Sequence, residues 1–243
     1  MGEMDTVQRI GKSNYGFSAA KLSSLGASEY TLVTIAVDES GSVDSFKTGI
    51  ENCLKEVVKA CRKSPRADNL LLRILAFSTK LREIHGFKLL QDCNPDDYTD
   101  CIKIDGITAL FDASVNSLDA AREYGETLFG QDYTLNAIFI AITDGADNAH
   151  SLTARDVGDS IQNMIKDETF ESLVSILVGV NVISPDVKKL LKEFKDVAKF
   201  TQYEELDNAS EKTLARLANF VSKSISSQSQ SLGSGGASQP ITF

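Results

Sequence analysis

Three stretches of this chain are almost wholly apolar, rich in β-branched residues and of strand length: residues 30–37 (YTLVTIAV), 134–143 (TLNAIFIAIT) and 173–180 (LVSILVGV). A strand with one wet face alternates apolar and polar residues, so a run that is apolar at both parities is expected to be covered on both faces. Between the runs, apolar residues recur at three- and four-residue steps. Val43, Phe46, Ile50, Leu54, Val57, Val58 and Cys61 form one such series, and Leu110, Phe111, Val115 and Leu118 another. That is the spacing of an amphipathic helix. Doubly covered strands alternating with such helices imply an α/β domain with a doubly wound, mostly parallel sheet and helices on both faces.

The remaining elements follow from local signals. Residues 70–77 (LLLRILAF) and 81–87 (LREIHGF) are separated only by Ser78, Thr79 and Lys80, which is room for an antiparallel hairpin and nothing longer. One antiparallel strand is therefore expected at an edge of the sheet. Further helices are expected over 108–129, 153–166, 185–198 and 210–227, with a short strand near 200–203. Residues 1–29 read as a polar extension holding one helical turn at 18–25 stopped by Gly26. Residues 228–243 carry no charge and are dominated by Ser, Gln and Gly, so they read as a disordered tail. The domain proper is expected to span 30–227.

With 42% hydrophobic residues the chain can build a core of ordinary size. Its net charge of −9 argues against a nucleic-acid or anionic-membrane surface, since both require clustered positive charge. No run approaches the ~18 apolar residues of a membrane span, and the start lacks the apolar core of a secretory leader. A cytoplasmic location is expected. Cys53, Cys61, Cys93 and Cys101 fit no zinc spacing and read as buried reduced thiols.

Polar residues gather where the apolar strands end. Asp38-Glu39-Ser40-Gly41-Ser42 follows the first run. Residues two apart on an extended segment point the same way, so Asp38, Ser40 and Ser42 can converge. Asp144 follows the second run, and Thr108 opens a helix between the two. Hydroxyls and carboxylates are hard donors, suited to Mg²⁺, Mn²⁺ or Ca²⁺ rather than zinc or copper. If the hydroxyls bind directly and the carboxylates through water, the ion keeps enough electrophilicity to attract an outside carboxylate. The competing reading makes Ser42 a helix cap, and Thr108 and Asp144 a cap and a strand-end turn. Glu39 is expected to point away from the ion, where it can meet a partner. Turn formation is the first reading of Asp147 and Asn148, and structure or exposure that of His85. His150 lies close enough to the third loop to touch a ligand.

DESGS at 38–42, the threonine of GITALFDA and the aspartate of AITDGADN together resemble the metal-ion-dependent adhesion site of von Willebrand factor A domains. The resemblance covers roughly residues 30–227, and the loop wording looks more like bacterial intracellular members than integrin or matrix ones. It implies a six-stranded doubly wound domain that holds a divalent ion and binds proteins rather than catalysing a reaction. It also implies a partner Asp or Glu completing the coordination, a MoxR-type AAA+ ATPase as one partner class, and a last helix that can shift. The alternatives are a Mg²⁺-dependent hydrolase or phosphotransferase and a metal-free structural subunit. Against the enzyme, the chain has no GxxxxGK[ST] loop, no GxSxG elbow, no HExxH helix and no DxD pair at residues 38–40.

Overall fold

The computed structural model describes residues 4–7, 16–149 and 151–233. Strand β3 (Glu29–Asp38) lies at the centre, hydrogen-bonded in parallel to β4 (Leu70–Phe77) on one side and β6 (Thr134–Thr143) on the other. Its side chains alternate between two cores. Leu32 and Ala36 enter one, while Val33, Ile35 and Val37 enter the other. This is why the run is apolar at both parities. Helix α1 (Lys47–Cys61) and helix α5 (Glu211–Gly233) cover the second face. On the first face lie α2 (Leu110–Phe129), α3 (Ala154–Lys166) and α4 (Pro185–Ala198). Helix α5 lies close against α1 at Gly49, where any side chain would collide with Leu214.

Strands β5 (Leu81–Leu89), β2 (Phe17–Ala20) and β1 (Met4–Val7) extend the sheet beyond β4. On the other side β7 (Ser172–Val180) and β8 (Gln202–Leu206) extend it beyond β6. The eight strands run in the order β1-β2-β5-β4-β3-β6-β7-β8. From β3 the chain crosses to β4 over one face through α1, then from β5 to β6 over the other through α2. The direction of winding therefore reverses between β3 and β6. In open α/β sheets, ligands settle in the crevice at the carboxyl ends of strands beside such a reversal. Asp38 and Asp144 stand there. Among the described residues no helix is long and apolar enough to cross a membrane.

The doubly wound, mostly parallel architecture is as expected, but the sheet is wider than six strands. The hairpin strand β5 pairs antiparallel with β4 yet is not an edge, because β2 lies beside it and β1 beside β2. The expected helical turn at 18–25 is therefore a strand followed by one 3₁₀ turn, Leu22–Ser24. Its cause is tertiary. Phe17 packs edge-on against Phe87, and Ser18 donates to Glu83 from both its amide (3.0 Å) and its hydroxyl (2.7 Å). The tail expectation is corrected as well. Residues 228–233 extend α5, with Gln228 and Ser229 buried and Ser229 Oγ 3.3 Å from Thr31 Oγ1. Residues 234–243 lie outside the described set. All four cysteines are free and buried, and burial pushes the Cys53 and Cys61 thiols up to about 12.

His85 is half-buried on β5. Its Nδ1 lies 2.8 Å from the Gly86 carbonyl and its Nε2 2.9 Å from the Tyr98 hydroxyl. A neutral ring that donates from Nδ1 and accepts at Nε2 satisfies both partners. Burial, aided by the charges of Lys88 and Arg73, pushes its pKa from 6.5 down to about 3. A histidine held neutral contributes stability that is present above its unfolded pKa and lost as pH falls toward the folded one. His85→Gln is therefore expected to flatten the fall in urea midpoint between about pH 6.5 and about pH 4. An identical fall in both proteins would refute this.

Candidate metal centre

Strand β3 delivers Asp38 to the top of the sheet, and the chain then turns through Ser40 into a 3₁₀ segment, Gly41–Phe46, before α1. The Asp38 carboxylate is fixed from both ends. Its Oδ1 accepts the Ser40 amide at 2.8 Å and its Oδ2 the Thr143 hydroxyl at 2.6 Å. Ser40 Oγ lies 3.2 Å from Ser42 Oγ, and the Ser42 hydroxyl donates to Asp144 Oδ1 at 2.8 Å. The cap reading of Ser42 is thus not what the structure shows, since its hydroxyl reaches across to another loop. Thr108 Oγ1 lies beside the turn that follows Asp144, 3.7 Å from where a Cβ on Gly145 would sit. Asp38, Ser40 and Thr108 are buried, Asp144 is half-buried and Ser42 is exposed. Asp38, Ser40, Ser42 and Asp144 are joined by hydrogen bonds, with Thr108 beside the Asp144–Gly145 turn, and the five outline a cup whose Ser42 side is exposed.

Burial holds the Asp38 carboxyl up at about 6 from 3.8, over the opposing hydrogen bonds of Thr143 and Ser40, and the charge of Asp144 adds to the rise. Burial likewise raises Asp144 against the hydrogen bond from Ser42. Among the described residues no basic side chain is among the main groups acting on either. Two desolvated carboxylates beside three hydroxyls, with no basic side chain acting on them among the described residues, fit a hard divalent ion. Among the described residues there is no group of three or more His, Cys, Asp or Glu side chains placed to hold a metal, so any ion in this cup depends on the hydroxyls.

The supports of the cup are less legible in the sequence than its lining. Thr143 lies at the end of an apolar run, and nothing local marks it as a donor to Asp38. Asp147 and Asn148 do more than form a turn. Asn148 Oδ1 accepts the Thr108 amide at 2.7 Å, Asn148 N donates to the Thr108 carbonyl at 2.9 Å, and Asp147 Oδ1 accepts the Phe111 amide at 2.9 Å. Helix α2 has no side-chain cap from its own Ala109, so Asp147 takes that place from the third loop. Glu39 points away from the cup as expected, but it is buried against Arg82 rather than available to a partner. His150 lies outside the described residues.

No family model and no curated protein matches the chain. Solved structures do. The D319A mutant of the PilB minor pilin from Streptococcus sanguinis superposes with a TM-score of 0.60 at 13% identity, covering 86% of this chain and 64% of that one. The pilus adhesin SpaC from Lactobacillus rhamnosus GG, in its open conformation, gives 0.60 at 11%, covering 82% and 30%. Proximal thread matrix protein 1 from the mussel byssus, described with a zinc-occupied MIDAS motif, gives 0.52 at 19%, covering 82% and 46%. MIDAS denotes the metal-ion-dependent adhesion site. The chain thus spans less than two thirds of the length of each of these proteins. At such identities the similarity shows the fold, which is that of a von Willebrand factor A-like domain.

Proposed function

We propose that the chain is a divalent-cation-dependent protein-binding module. Ser40, Ser42 and Thr108 would hold the ion directly, with Asp38 and Asp144 acting through water, and an Asp or Glu from a partner protein would take the open position. The observation that carries this reading is the hydrogen-bonded set Asp38, Ser40, Ser42 and Asp144 with Thr108 beside it, whose two carboxylates have no basic side chain acting on them among the described residues. Mg²⁺ is the first candidate, with Mn²⁺ and Ca²⁺ as close alternatives of the same hard chemistry. The ion would act as a Lewis acid toward the incoming carboxylate. The chain carries no phosphate loop, nucleophile elbow or HExxH helix beside these residues, so we read a binder rather than an enzyme. The four free thiols fit a reducing compartment, and the proposed location is the cytoplasm. A MoxR-type AAA+ ATPase is the partner class suggested by the loop resemblance.

Titration calorimetry with Mg²⁺ and Mn²⁺ tests the reading. Heat of binding is expected for the wild type, with affinity at least about tenfold weaker in Ser42→Ala. A wild type that gives no heat with either ion would end the metal-dependent reading. With the full chain as bait, partner capture is expected in Mg²⁺ and is expected to vanish in chelator. Capture that is indifferent to chelator would instead point to a metal-free structural role.

A further inference from the structure

Glu39 lies between Asp38 and Ser40, and strand alternation sends its side chain to the side opposite theirs. A carboxylate only 4% exposed is uncommon unless it is paired, and here both oxygens are engaged. Arg82 donates Nε to Oε1 at 3.2 Å and Nη2 to Oε2 at 2.5 Å, and the Lys103 amide donates to Oε2 at 2.8 Å. The Glu39 carbonyl accepts the Asp105 amide at 3.0 Å, while Arg82 Nη2 also reaches the Cys101 carbonyl at 2.7 Å. Residues 101–105 are therefore tied to the first loop through one residue and its arginine.

The next residues are held from the β4–β5 turn. Gly106 has φ +58° and lies so close to Thr79 that a side chain there would collide. The Ile107 amide donates to Thr79 Oγ1 at 3.1 Å and the Ala109 amide to the Ser78 carbonyl at 3.0 Å. Thr108 itself is held on the third-loop side by Asn148, at its amide and its carbonyl, and the chain on either side of it is fixed at 101–105 and at 106–109. Only the stretch at 101–105 is fastened by a side chain of the loop that carries Asp38, Ser40 and Ser42.

We propose that Glu39, through Arg82, is a positioning residue that sets Thr108 at the correct distance from Ser40 and Ser42 before an ion arrives. This rests on the metal-binding reading above and adds to it the origin of the site's preorganisation. A prearranged donor set loses less freedom when it binds, and groups behind metal ligands commonly matter almost as much as the ligands.

The test uses the full chain carrying Arg82→Ala, Arg82→Lys or Glu39→Gln. Arg82 is 38% exposed at its side chain, so its truncation spares the core. Two quantities are read: amide hydrogen exchange at residues 103–109 in chelator, and Mn²⁺ affinity by calorimetry. Arg82→Ala is expected to speed exchange across 103–109 about tenfold or more, leave the β3 and β6 amides unchanged, and weaken Mn²⁺ about 10–100-fold. Arg82→Lys should recover part of both effects, since it restores charge without the two-pronged geometry. Unchanged exchange in Arg82→Ala and Glu39→Gln, beside normal Mn²⁺ binding, overturns the latch alone. Faster exchange with undiminished Mn²⁺ affinity also overturns it. A wild type that takes up no Mn²⁺ overturns the metal reading and, with it, the purpose of the latch.

Discussion

Glu83→Ala is expected to destabilise the protein by about 3–5 kcal/mol, because it strands a cation in the core. Arg73 stands on β4 with no exposed surface, its guanidinium inside the core on the α2 face. Its Nε donates to Glu83 Oε1 at 2.8 Å and its Nη2 to Asn116 Oδ1 at 2.9 Å, while Nη1 is buried without a hydrogen-bond partner. Glu83 also accepts from Ser18, so the same carboxylate fastens β2 to the sheet. Removing it leaves a desolvated charge uncompensated and loosens β2 from the sheet. At about 2–4 °C per kcal/mol for a chain of this size, the thermal midpoint should fall by roughly 10 °C. The double variant Arg73→Met/Glu83→Ala is expected to recover part of the loss, because it removes the stranded charge and leaves an apolar chain of similar length. A Glu83→Ala protein within about 1 kcal/mol of wild type would refute the account.

Asp38→Asn is expected to abolish Mn²⁺ binding and yet make the metal-free protein more stable. The change is close to isosteric. The asparagine carbonyl can accept the Ser40 amide, and its NH₂ can donate to the Thr143 hydroxyl. The difference lies in charge. A carboxyl held at about 6 instead of 3.8 corresponds to about 3 kcal/mol against the ionised folded form. For a raised carboxyl the cost is fully present above the folded pKa and disappears as pH falls below the unfolded one. In chelator at about pH 7.5, Asp38→Asn should therefore exceed wild type by up to about 3 kcal/mol, and the gap should close between about pH 6 and about pH 4. Denaturant melts across that range measure it. A variant less stable than wild type at neutral pH would show that Asp38 serves the fold rather than a cation. Sites that hold uncompensated charge for a ligand commonly cost stability in this way.

These two residues also show where sequence reasoning reaches and where it stops. Asp38 is legible because its neighbours at two-residue spacing, and the loops after the following elements, offer the same hard oxygens. Glu83 is not. In LREIHGF it is one polar residue in a half-polar strand, and Arg73 is a lone charge in an apolar one. Their pairing depends on the β4–β5 register, which brings the strands side by side with irregularities near Ile74. For Glu39, strand alternation supplies the direction of the side chain but not its purpose, because its partner Arg82 lies 43 residues away.

The succession of doubly covered strands and one-sided helices was determined by the order of side chains alone. Period and polarity are local properties, and they fix which residues must be buried and hence the layers. The placing of hard donors at strand ends was determined in the same way. The tertiary structure decided the rest: a sheet of eight strands, the strand formed by residues 17–20, and the burial of Ser229 under Thr31. Each of these segments is too short or too polar to specify its own conformation. Each is ordered by hydrogen-bonding groups that the remainder of the fold presents to it, and no window of sequence contains both halves of such a contact.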